Sequence, residues 1–131
     1  MKRFTAFALI LVVLLGLVGC SGGVSVGGFS SKFLNSDDYD AAVQEVMNYF
    51  SEFEGCTLKK IGYAGDDAVK AEADARGLAP EEVIVLTSTF ETDGENHNNG
   101  LEPDFTYEDY TWTLTRVTSI GFWEVTDHGY G

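Results

Sequence analysis

Residues 36–53 read Ser-Asp-Asp-Tyr-Asp-Ala-Ala-Val-Gln-Glu-Val-Met-Asn-Tyr-Phe-Ser-Glu-Phe. Within this stretch Tyr39, Val43, Val46, Met47, Phe50 and Phe53 recur at spacings of three and four, while Asp40, Gln44, Glu45, Asn48 and Glu52 fill the opposite side. That period predicts an amphipathic helix whose apolar stripe is long enough to cover a sheet. Ser36 is placed to cap the first free backbone N–H groups, and Asp37 and Asp38 complement the positive end of the helix dipole. Gly55 supplies a left-handed stop. A Met and aromatic stripe at this spacing reads as core rather than as a cofactor box.

The sequence beyond Gly55 supplies the sheet. Residues 56–64 alternate as a first strand, but the alternation slips near Lys59-Lys60, which predicts a bulge. Residues 66–76 are alanine-rich and weakly apolar, a short second helix ended by Gly77 and expected at the surface or edge. Residues 83–90, Val-Ile-Val-Leu-Thr-Ser-Thr-Phe, are apolar on both phases and suit a central strand. Residues 91–104 collect Gly, Pro, Asp, Glu, Asn and His around the single apolar Leu101, a long loop. Residues 105–118 and 122–127 then form a hairpin about Ser119-Ile120. A two-residue turn there places Leu114 opposite Val125, Trp112 opposite Asp127 and Arg116 opposite Trp123. One face thereby gathers Trp112, Leu114, Trp123 and Val125, and the other Thr113, Thr115, Glu124 and Thr126. The expected fold class is α+β: one long helix packed on a curled four-stranded antiparallel sheet, with a minor second helix.

The chain of 131 residues is too short for two ordinary domains, and its 13% aromatic content excludes a wholly disordered chain. Eight Lys and Arg face 21 Asp and Glu, so no basic stripe exists to bind nucleic acid. The start of the chain is an address. Lys2 and Arg3 precede an apolar run from Phe4 to Val18, closed by Leu17-Val18-Gly19-Cys20, which is the pattern of a signal peptide over residues 1–19. The closing quartet resembles the bacterial lipobox. By that resemblance Cys20 is the lipidation site, and Leu17, Val18 and Gly19 are read by the signal peptidase that cuts before Cys20. Two or three acyl chains, at about 0.8 kcal/mol per buried methylene, hold a protein on a membrane durably. Cleavage removes Lys2 and Arg3 and leaves six basic residues against 21 acidic ones, a formal charge of −15 on 112 residues. Such a domain is repelled by anionic lipid, and the Gly- and Ser-rich residues 20–32 suit a flexible spacer before a single domain over residues 33–131. With Cys20 acylated only Cys56 remains, so no intrachain disulfide forms, and Cys56 reads as a small buried hydrophobe. The expected location is the extracytoplasmic face of the cell membrane, in a Gram-positive host.

The order of helices and strands resembles the cystatin-like group, which includes nuclear-transport-factor-like domains. Three stretches, Phe53-Glu54-Gly55-Cys56-Thr57-Leu58, Val83-Ile84-Val85-Leu86-Thr87-Ser88 and Trp123-Glu124-Val125-Thr126-Asp127-His128-Gly129-Tyr130, are similar to an uncharacterised family of small lipoproteins from Gram-positive bacteria. The resemblance implies a fold and no activity.

Candidate site residues are few. Tyr110, Trp112, Trp123 and Asp127 form the best candidate ligand-binding set, an aromatic wall beside a carboxylate. Asp127 and His128 are strand neighbours that point to opposite faces, so they do not form a hydrogen-bonded dyad without a bend at Gly129. His128 is expected to be a solvated terminal residue. Asp93, Glu95, His97, Asn98, Asn99, Glu102 and Asp104 crowd one loop but fail the spacing of a calcium loop, and His97 alone defines no zinc site, so no metal or other cofactor is expected. Arg116 over Trp123 is expected to be a structural cation–π pair. The stretch from Tyr107 to Trp112 alternates aromatics with acids, which suits either a sugar- or peptide-stacking surface or a solubilised strand edge. The favoured function is a membrane-anchored acidic interaction domain for a cationic protein or peptide, without catalysis. The alternative is a small-molecule-binding or catalytic domain using the concave face of the sheet.

Overall fold

The structure is a computed structural model and describes residues 23–117 and 121–130. Its elements run β1 (Ser25–Val26), α1 (Ser36–Phe50), β2 (Cys56–Tyr63), α2 (Asp66–Arg76), a 3-10 turn (Pro80–Glu82), β3 (Val83–Thr92), β4 (Thr106–Thr115) and β5 (Glu124–Tyr130). The sheet order is β1-β2-β3-β4-β5, with β1 parallel to β2 and every other pair antiparallel. The fold is therefore α+β with a five-stranded mixed sheet, where a four-stranded antiparallel one was expected. The additional strand comes from the Gly- and Ser-rich stretch. Ser25 and Val26 pair with Lys60 and Ile61, and Gly27 N–H donates to Ile61 O at 2.9 Å. A run so short carries too little period to be seen as a strand, and its partner edge supplies the order.

The first helix is also shorter than its apolar stripe. Its 15 residues end at Phe50, and Ser51 takes the C-cap in right-handed geometry. Phe53 N–H then donates to Phe50 O at 2.9 Å, and Cys56 N–H to Phe53 O at 3.3 Å, so Phe53 packs on the core from a tight turn. Gly55 has φ of +73°, but it shapes that turn instead of stopping the helix. The N-cap is Asn35, not Ser36: Asn35 Oδ1 accepts from Asp38 N–H while Asp38 Oδ2 accepts from Asn35 N–H, a reciprocal capping box.

The two apolar phases of β3 have separate partners. Ile84, Leu86 and Phe90 face α1, where Tyr39, Ala42, Val43, Val46 and Phe50 close one core with Ile61, Trp112 and Leu114. Val83 and Val85 face the other way and are covered by Val69 and Ala73 of α2. The second helix, expected at a surface or edge, thus covers the reverse side of the central strand. It ends as its sequence indicates, with Gly77 at φ of +68° and Leu78 N–H returning to Ala73 O at 2.9 Å. Each large side chain buried in these cores contributes about 1.5–3 kcal/mol of transfer free energy.

Register shifts occur in each antiparallel pair. The shift in β2 falls between Leu58 and Lys60, as the broken alternation indicates. In the last hairpin Leu114 pairs with Val125 as expected, but the register shifts between Thr113 and Leu114, leaving Trp112 opposite His128 rather than Asp127. The turn expected at Ser119-Ile120 lies outside the described residues.

Candidate functional site

The extra residue in β5 decides which side chains meet. With Asp127 opposite Thr113 and His128 opposite Trp112, His128 shares the α1 face with Trp112 and Tyr110, and Asp127 is turned to the other face. Asp127 is exposed there, with its carboxylate 4.0 Å from the Arg76 guanidinium. Asp127 therefore does not join the aromatic set, contrary to expectation. Trp123 does not either. It lies at the far end of the hairpin, where its Nε1 donates to Asp38 O at 3.0 Å and the Arg116 guanidinium sits 4.2 Å from its ring centre. The cation–π pair expected from sequence is present, and Arg116 is in addition a buried ion-pair partner of Asp38 at 2.9 Å.

Tyr110 and Trp112 do come together, around His128. Tyr110 Oη lies 2.7 Å from His128 Nδ1, and Tyr49 Oη lies 3.3 Å from Nε2. The imidazole is stacked on Trp112 with ring centres 5.1 Å apart, and Phe53 approaches at 5.7 Å. Trp112 is itself fixed, fully buried and donating from Nε1 to Ser88 Oγ at 2.8 Å. Helix α1 supplies Tyr49, the turn after it Phe53, β4 supplies Tyr110 and Trp112, and β5 supplies His128.

Burial pushes the Tyr110 hydroxyl above its ordinary pKa, and the neighbouring Tyr107 and Tyr49 add to this. Tyr110 thus stays a neutral phenol able to donate or accept. A neutral imidazole donates from one ring nitrogen and accepts at the other, and an imidazolium donates from both. Two hydroxyls, each able to donate or accept, thus stand one at each ring nitrogen of His128, and Tyr49 is 42% exposed. The sequence draws attention to Asp127-His128 beside Tyr110 and Trp112, but an unbroken alternation faces His128 the other way and makes it a solvated terminal residue.

The acidic loop holds the second histidine. His97 Nε2 contacts both Asp93 carboxylate oxygens at 3.0 and 3.1 Å, and Nδ1 lies 3.7 Å from Glu54. The hydrogen bond to Asp93 raises the His97 pKa; the Glu95 N–H, followed by His97, lowers that of Asp93. Asp93 N–H also donates to Gly55 O at 2.8 Å, which fastens the loop to the turn after α1. Among the described residues no group of three or more His, Cys, Asp or Glu side chains is arranged to hold a metal ion. Cys56 is half-buried, and burial followed by the charge of Asp93 raises its thiol pKa, so it is a poor nucleophile.

Leu17, Val18, Gly19 and Cys20 lie outside the described residues. Among the described residues no helix is long and apolar enough to cross a membrane. No family model matches the chain, and no curated protein or solved structure matches it significantly.

Proposed function

We propose that the chain is a lipid-anchored protein of the extracytoplasmic membrane face in a Gram-positive cell, carrying one acidic domain that binds a cationic protein or peptide. The anchor rests on Leu17-Val18-Gly19-Cys20 behind a basic and apolar leader. The observation that carries the reading of the domain is its filled helix–sheet interface. Phe50, Phe53, Phe90, Tyr110 and Trp112 interlock ring against ring between α1 and the sheet, which favours a surface that engages partners over a pocket that encloses a substrate. The chain, at −13 and at −15 once residues 1–19 are removed, is drawn to cations and repelled by anionic lipid. We assign the fold to the cystatin-like group, on the helix laid across the β2–β5 meander; the parallel β1 and α2 on the reverse face are departures from that pattern.

The anchor is tested by labelling cells with a palmitate analogue. The wild-type chain is labelled and Cys20→Ser is not; a labelled Cys20→Ser chain removes the anchor. One observation favours a second reading, a small-molecule or catalytic site: the hydrogen-bonded bracket of His128 between Tyr49 and Tyr110. On that reading a bound ligand displaces Tyr49 from Nε2 and moves the His128 ring resonances in a fragment screen by NMR. A screen that leaves them in place ends it.

A further inference from the structure

Gly62 lies inside β2, where glycine has no side chain to pack and a poor strand preference. Its backbone is outside the left-handed region, and a Cβ added there meets nothing within 4 Å, so neither conformation nor crowding calls for glycine. What the missing side chain leaves is room. Gly62 borders a half-open cleft of about 220 Å³ together with Ser25, Lys60, Thr87, Thr89 and Asp109. A glycine within a strand often marks the close approach of a ligand.

Register places the cleft on the reverse side of the sheet. Ile61 pairs with Ser88, and Leu86 with Trp112, on the α1 face, so Lys60 and Gly62, paired with Thr89 and Thr87, turn the other way. There α2 covers Val83 and Val85, and no α2 residue borders the cleft. Ser25 of β1, paired with Lys60, closes the side beyond β2. On the opposite side Asp109 enters at an irregularity, where the β3–β4 register shifts between Ser88 and Phe90. Among the described strand residues Asp109 alone, glycines apart, has a positive φ, +57°. Such strained backbone gathers at ligand sites, where it aims a side chain.

The lining sets opposite charges across a neutral floor. Lys60, Thr89 and Asp109 stand on successive strands, which separates the two charged residues by about 10 Å at the backbone. Among the described residues neither makes an ion pair, with the other or with any third group. An ammonium at one side and a carboxylate at the other suit a ligand that carries both charges itself, with the Thr87 and Thr89 hydroxyls free to donate or accept between them. Other ligand classes fit less well. No aromatic ring borders the cleft, so a sugar finds no stacking platform. A free anion is repelled by a chain at −13, whereas a zwitterion carries no net charge. The volume is below the roughly 300–1,000 Å³ of sites for larger organic ligands. At roughly 30 Å³ per water-sized group it takes about seven such groups, the size of alanine, serine or threonine.

We propose that the reverse-face cleft binds a small free amino acid, with its carboxylate on Lys60, its ammonium on Asp109 and its carbon atoms over Gly62. The site lies across the sheet from the His128 bracket and uses none of its residues. It goes beyond both readings of the function and depends on neither.

The test uses the full chain in detergent micelles, with amide NMR spectra recorded as L-alanine, L-serine and L-threonine are added in turn. At least one of the three is expected to shift the Gly62, Thr87 and Thr89 amides saturably, with a Kd at or below about 1 mM. The N-acetyl form of that amino acid, which lacks the ammonium, and its amide, which lacks the carboxylate, are expected to bind about tenfold or more weakly. Lys60→Met and Asp109→Asn are each expected to weaken binding by a similar factor with the thermal melt unchanged, because both side chains are exposed and Asn accepts the left-handed backbone. Gly62→Val is expected to fill the cleft and abolish binding while melting at or above the wild-type temperature, since a β-branched residue suits a strand. Absence of saturable shifts tenfold above the stated concentration overturns the proposal, as does equal binding of the blocked forms. A Gly62→Val chain that melts like the wild type and still binds overturns it too. Shifts confined to Tyr49, Tyr110 and His128 also overturn it, by moving the ligand to the other face of the sheet.

Discussion

Replacing Arg116 with Met keeps most of the side-chain stem and removes the charge. In the folded protein the Arg116 guanidinium is 6% exposed and pairs at 2.9 Å with an Asp38 carboxylate that is 17% exposed. It also donates to Glu81 O at 2.9 Å and lies 4.2 Å from the Trp123 ring centre. Removing one partner of a mostly buried pair costs about 3–5 kcal/mol, chiefly because the other charge is left uncompensated. Asp38 keeps the Asn35 N–H and some water, so the loss is set at the lower end, about 3 kcal/mol. For a domain of this size that lowers Tm by roughly 12–24 °C. The assay is urea unfolding followed by circular dichroism and by Trp fluorescence. Asp38→Asn retains an oxygen for the helix cap, and the double variant completes a thermodynamic cycle. The cycle is expected to give a coupling of about 1–3 kcal/mol, with the double variant more stable than the sum of the single losses. A loss below about 1 kcal/mol for Arg116→Met, or strict additivity with Asp38→Asn, refutes the assignment of this pair as the pin between α1, the 3-10 turn and the hairpin.

Gly55→Ala is expected to destabilise the fold, because φ is +73° and the new Cβ would clash with the His97 ring and lie 2.8 Å from Asp93 Oδ2. His97→Ala relieves the ring contact but neither the Asp93 contact nor the backbone strain of about 1–2 kcal/mol, so the double variant recovers part of the loss in urea melts; full recovery removes the strain argument. The His97–Asp93 clamp has a pH window. Folding raises the His97 pKa above 6.5, so its contribution is complete below that value and fades as pH rises through the folded one. Folding lowers that of Asp93 below 3.8, so its contribution is complete above that value and is lost as pH falls through the folded one. The loop amides are expected to be best protected, relative to their intrinsic exchange rates, between about pH 4 and 6.5, and a His97 ring that titrates by NMR at or below 6.5 contradicts the clamp.

Where periodicity was unbroken, the residues named their own structure. Val83-Ile84-Val85-Leu86 is apolar on both phases because it has a helix on each side, and the Ala-rich run before Gly77 forms and ends α2 where its composition indicates. The failures share a different cause. Ser36 lost the N-cap because Asn35 and Asp38 make two reciprocal bonds, and a single-residue preference does not weigh a pair. Phe53 continued the helical spacing yet packs from a turn, because an apolar residue can reach one core from either conformation. The order of residues 23–33 is tertiary. Asp66 accepts from Ser31 Oγ at 2.6 Å and from Lys32 N–H at 2.8 Å, and no local pattern announces bonds across 34 or 35 positions.

The candidate site turned on one inserted residue. In a strand a side chain's face is fixed by counting from a known neighbour, and Trp112, Leu114 and Trp123 were counted correctly. The irregularity near Lys59-Lys60 was legible because it interrupted an apolar alternation. The one after Val125 was not, since Thr126, Asp127 and His128 are all polar and no hydrophobic phase exists to be broken. A bulge among polar residues is invisible to patterning, yet it reverses which of two adjacent titratable side chains enters the aromatic cluster. The choice between them has a physical sense. At that point of the sheet Tyr49, Phe53, Tyr110 and Trp112 offer rings and two hydroxyls, which stack on and hydrogen-bond an imidazole. A carboxylate there meets π faces and no cation, whereas on the other face Asp127 finds Arg76 and water. Desolvating an unpaired charge is costly, and the observed register, which turns a half-buried His128 toward the rings and leaves Asp127 in solvent, avoids that cost.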